Sequence, residues 1–70
     1  MNFQELLVEF MERTVAYGFT DGAKELAKTA RESGLSNVAQ ILSDYAAAIE
    51  ANDIRKAAQC FSMLHIFTEC

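Results

Sequence analysis

Seventy residues with ten acidic and six basic side chains carry a net charge of −4, a 51% hydrophobic fraction, three Gly and no Pro. A chain this short makes one domain, residues 1–70, near the lower limit for a core built without disulfide, metal or second subunit, so a homodimer is expected. Six acids and four bases precede Leu35 and four acids and two bases follow it, so neither half offers a basic patch to nucleic acid phosphate or anionic lipid.

Phe3, Leu6, Leu7, Phe10, Thr14 and Tyr17 recur at three- and four-residue steps, the spacing of an amphipathic helix over about 3–17. Val8, Met11 and Val15 widen its apolar stripe, and Glu5, Glu9, Glu12 and Arg13 fall largely outside it. Asn2 with Glu5 three residues on makes a capping-box-like start, and Gly18 supplies a left-handed stop. Thr20 or Asp21 then caps a second helix over about 21–33. Its inward side is small, with Ala23, Leu26, Ala27 and Ala30 inside and Lys24, Lys28 and Arg31 facing water. Small residues bury little area but let a neighbouring helix come close.

Gly34 ends the second helix, and Ser36 or Asn37 caps a third over about 37–51, with Gln40 completing a box from Asn37. Val38, Ile41, Leu42, Tyr45, Ala48 and Ile49 form its stripe. Asn52 in a left-handed conformation and Asp53 as N-cap join it across a tight turn to a fourth helix, about 53–68. One side of that helix carries Ile54, Ala57, Ala58, Phe61, Leu64 and His65, with Cys60, Met63 and Phe67 beside them, and Ile66 falls on what should be the wet face. A helix apolar almost all round is central in its fold or covered by another molecule.

An offset of 34 pairs Leu7 with Ile41, Val8 with Leu42, Met11 with Tyr45, Ala23 with Ala57 and Ala30 with Leu64. Two stacked helical hairpins leave such an echo, because each buries an equivalent stripe on the other. The stretches Gly18 to Ala23 and Ala51 to Ala57, with Phe61 four residues after Ala57, resemble the hairpin turn of tetratricopeptide repeats. That resemblance implies stacked antiparallel helix pairs and a peptide- or protein-binding role. The sequence departs from the family at Met11, at Ala27 and in the missing closing proline, and a four-helix bundle is the alternative architecture. In either form the fold class is all-α, four antiparallel helices as two stacked hairpins.

Residues 30–36 resemble the turn of helix-turn-helix DNA-binding domains. That likeness makes a small DNA-binding regulator, using residues 22–45 with Asn37, Gln40 and Ser43 facing the major groove, the alternative function. The acidic balance supplies few phosphate contacts, and a helix C-cap accounts for Gly34. His65, the single histidine, has apolar neighbours on its helix and no Ser, Asp or Glu placed to orient it, which points to a partly buried structural role. Cys60 lies five residues before it, on a different face. Cys60 and Cys70, roughly 15 Å apart along one helix, cannot bridge. Cys70 at a helix C-terminus beside Glu69 lacks the positive surroundings that make a thiol reactive.

Glu5, Glu9 and Glu12 form an acidic ridge with Glu9 four residues before Arg13. Such a ridge is a solvated face with an internal pair, or a docking surface for a basic partner. The expected function is non-catalytic protein binding, as an adaptor, chaperone-like cofactor or inhibitor. The binding residues are Met63, Ile66 and Phe67 on the fourth helix with Phe3, Glu5, Glu9 and Glu12 on the first. No catalytic, cofactor-binding or metal-binding residue, no cofactor and no membrane partner is expected. Unpaired thiols and an opening segment that lacks a basic, apolar leader make a cytoplasmic location the expectation.

Overall fold

The computed structural model describes residues 2–69, with side chains described through Phe67, so Cys70 lies outside the described residues. It contains four helices, α1 (Phe3–Tyr17), α2 (Phe19–Glu32), α3 (Ser36–Glu50) and α4 (Ile54–Glu69), and no strand among the described residues. Local chemistry explains most of the boundaries. Asn2 caps α1 by accepting the Glu5 N–H at 2.8 Å. At the end of α2 the Leu35 N–H donates to the Ala30 carbonyl at 2.8 Å and the Gly34 N–H to Arg31 at 3.1 Å, the paired bonds of a Schellman turn. The α3–α4 connection repeats the device. Asn52 takes φ +60°, the Asp53 N–H reaches the Ala48 carbonyl at 2.8 Å, and Asp53 caps α4 by accepting from the Lys56 N–H at 3.1 Å.

Two starts differ from expectation. α2 begins at Phe19, so Thr20 and Asp21 lie inside its first turn and cap nothing. Gly18, at φ +96° and ψ 169°, turns the chain alone, in a region essentially closed to residues with a Cβ. Its N–H closes α1 on the Thr14 carbonyl, and its carbonyl accepts the Gly22 N–H at 2.7 Å to open α2. α3 begins at Ser36 after Leu35, with no side-chain cap. Gln40 does not close a box with Asn37, because its amide donates to Asp44 Oδ1 at 3.1 Å.

Consecutive helices are antiparallel neighbours. α2 and α3 form the central pair, α1 packs on α2, α4 packs on α3, and α1 and α4 barely touch. Each helix places one leucine in the fully buried centre, Leu6, Leu26, Leu42 and Leu64, worth about 1.5–3 kcal/mol apiece on transfer from water. Ala23, Ala27, Ala30, Ala39 and Ala46 are buried with them. α2 approaches α1 so closely at Gly22 that a Cβ there would meet the backbone of Arg13 and Thr14 at 2.9 Å. At the surface, Arg13 pairs with Glu9 at 2.6 Å and reaches Thr29 on α2 at 3.4 Å, while Lys24 pairs with Glu50 and clips α2 to α3.

Candidate protein-binding surfaces

The expected binding residues occupy separate places. Met63, Ile66 and Phe67 are all exposed, Ile66 at 58%. At 100° per residue, Met63 projects from the side of α4 opposite Ile54 and His65. Phe67 borders a recess formed by Gly34, Leu35 and Asn37 at the α2–α3 turn. Phe3 is on the other side of α4 from this patch and half-buried, with its ring edge-on to His65 at 4.6 Å and to Phe61 at 5.7 Å. The three glutamates also divide. Glu9 is half-buried in its pair with Arg13, whereas Glu5 and Glu12 are exposed along the outer edge of α1.

Phe3 pins the amino end of α1 to the carboxyl half of α4, and from that point the two helices diverge. The opening between them is an apolar cleft that the sequence reading did not foresee. One chamber of about 400 Å³ is bordered by Leu7, Met11, Val15 and Phe19 with Tyr45 and Phe61, and the same two rings border a second, of about 470 Å³, that continues along the α3–α4 face past Ile49, Ile54 and Ala58. Tyr45 is held from below by the edge of Phe10, centroids 5.6 Å apart. Val15 is 89% exposed, Ile54 67% and Met11 66%. The Thr14 hydroxyl is buried in this wall and has no hydrogen-bond partner among the described residues.

Ile54 and Ala58 were expected on the inward side of α4 and are exposed instead, because α1 does not close over that half of the helix. His65, expected to be partly buried, is exposed, although the Phe3 ring packs against it. Phe19 escaped the reading because it precedes the expected start of α2. Its signal was adjacency to Gly18: a glycine that turns the chain alone makes the next residue helical and leaves it at a rim.

Cys60 is buried against the core. Burial, and after it the charge of Asp44, pushes its thiol above the ordinary value of 9.0, with Lys56 opposing. It faces the interior while His65 faces out, so the two do not form a joint site. Asn37 and Gln40 are exposed at the start of α3, but Gln40 is bonded to the Asp44 carboxylate, which places negative charge beside the residues a major groove would have to meet. Among the described residues no group of His, Cys, Asp and Glu is placed to hold a metal ion, and no helix is long and apolar enough to cross a membrane. Comparison with protein-family models, with curated proteins and with solved structures returned no match.

Proposed function

We propose that the chain is a small non-catalytic protein-binding module of the cytoplasm, an adaptor, chaperone-like cofactor or inhibitor, that offers apolar helix faces to a protein partner. The observation that carries this reading is the exposure of Met63, Ile66 and Phe67 together at the carboxyl half of α4. Isolated apolar residues on a surface are ordinary, but a contiguous group on one helix beside a recess is what an interface core requires. Met63 and Phe67, four residues apart, stand one above the other, with Ile66 adjoining. The recess next to Phe67 gives that ring a neighbour against which a partner's side chain can lodge. Glu5 and Glu12 leave a separate acidic edge on α1, open to basic groups. The free thiol of Cys60 accords with a reducing compartment.

The test compares the native chain with Met63→Glu and Ile66→Asp variants as baits in a cell extract, after thermal unfolding has shown that both variants fold as the native chain does. A protein retained by the native chain and lost from both variants is the expected result. Equal retention by all three baits, or retention of nothing by the native chain, refutes the proposal.

A further inference from the structure

We propose that the α1–α4 cleft is occupied by a second copy of this chain, with α1 of each copy lying in the cleft of the other about a twofold axis parallel to α1. This contact uses a surface different from the carboxyl-end patch of α4. Three observations select this occupant. First, the cleft stands directly beside an apolar ridge. On α1, Met11 lines the cleft, and Val8 and Val15 follow on the outward side of the same helix, both more than half exposed. A ridge next to a matching groove is self-complementary: an isologous partner fills the groove with its ridge and covers the ridge with its groove. A lone helix in the cleft would leave Val8 in water.

Second, the area suffices. Val8, Met11, Val15, Phe19, Ile54 and Phe61 are each at least a third exposed, on the order of 100 Å² apiece, so with their rim they approach the roughly 800 Å² per partner of a standard interface. A chain of 70 residues is also of the size that commonly gains stability by association.

Third, the charges fall at matching heights. Phe3 is level with α4 between Phe61 and His65, and α1 and α4 run in opposite directions. Nine residues along α1, Glu12 is therefore level with the first turn of α4, where Arg55 stands. A twofold axis parallel to α1 preserves height, turns the acidic edge of α1 toward the partner's α4, and brings Glu12 of each copy to Arg55 of the other. Both are exposed, and neither has an ion pair among the described residues.

The test is sedimentation equilibrium of the full chain from about 1 to 200 μM, with circular dichroism to confirm that each variant is folded. The native chain is expected to pass from 7.8 kDa to twice that mass within this range, and Val15→Glu to weaken the dimer at least tenfold, the order of effect of losing a central interface anchor. Met63→Glu, on the other side of α4, leaves the dimer unchanged. Glu12→Lys and Arg55→Glu each weaken it, and the two together restore it. A monomer at every concentration overturns the proposal, as does a dimer indifferent to Val15→Glu. A double charge exchange no better than either single change overturns the register. Retention of a partner through Met63 and Ile66 is measured separately, so each proposal can fail alone.

Discussion

Gly22→Ala sets two effects of opposite sign against each other. Gly22 lies inside α2 with an ordinary helical backbone, where alanine gains about 1 kcal/mol in helix propensity and in reduced freedom of the unfolded chain. The new Cβ, however, would sit 2.9 Å from the Arg13 carbonyl carbon and the Thr14 nitrogen and 3.0 Å from the Arg13 oxygen. Comfortable carbon contacts lie at about 3.5–4.0 Å, and these neighbours are backbone atoms that cannot rotate away, so α1 must shift by roughly 0.5–1 Å. That shift loosens Leu6 and Phe10 against α2 and α3. Overpacking of this kind costs about 1–3 kcal/mol, enough to outweigh the propensity gain, and the expected net loss is about 1 kcal/mol. In a domain of this size that lowers Tm by about 4–8 °C. Urea and thermal unfolding measure the effect, with Ala47→Gly, an exposed position in α3, calibrating propensity in the same chain. A Gly22→Ala protein more stable than the native one would refute the close approach of α1 and α2.

Gly18→Ala is destabilising by about 1–3 kcal/mol for a different reason, since the new Cβ meets no atom within 4 Å and only the φ +96° backbone is strained; an unchanged urea midpoint would contradict this. Thr14→Val removes a buried hydroxyl that has no partner among the described residues, at nearly constant shape, and should stabilise the fold by about 1 kcal/mol; a lower Tm would show that the hydroxyl is satisfied. Because burial raises the Cys60 thiol above 9.0, the folded state holds its proton more tightly than the unfolded state. That contribution is complete below the unfolded value and is lost as pH rises from about 9 through the raised folded value. In a Cys70→Ser background, unfolding free energy should therefore fall above about pH 8.5 more steeply than with Cys60→Ala in addition, and iodoacetamide should modify Cys60 at the rate of unfolding. Prompt alkylation of the folded protein would refute the second expectation.

The four helices, the Asn2 cap and the Asn52–Asp53 turn were legible in the sequence because each depends on residues within one or two turns of one another. The Asn52 turn is the clearest case: a left-handed residue followed by a capping carboxylate specifies its hydrogen bonds locally. The inward faces of α2 and α3 were legible for a related reason. Both helices are central, so most apolar positions on their stripes find a neighbour, and Ala23, Leu26, Ile41 and Leu42 are buried as their spacing requires, while Tyr45 and Ile49 stay half-buried where the cleft opens.

The peripheral helices behave otherwise. The 34-residue echo pairs Val8 with Leu42 and Met11 with Tyr45, yet Leu42 is fully buried while Val8 and Met11 are exposed. Equivalent patterns meet unequal surroundings, because α3 is flanked by two helices and α1 chiefly by one. Sequence by itself determined where this chain is helical, where it turns and which side of each helix is apolar, since periodicity and capping are properties of a few neighbouring residues. Tertiary structure alone decided which apolar sides are covered. The approach of α1 to α2 at Gly22 and the anchoring of Phe3 on Phe61 and His65 fix how far α1 and α4 diverge, and that divergence is a relation between distant segments that no local spacing encodes.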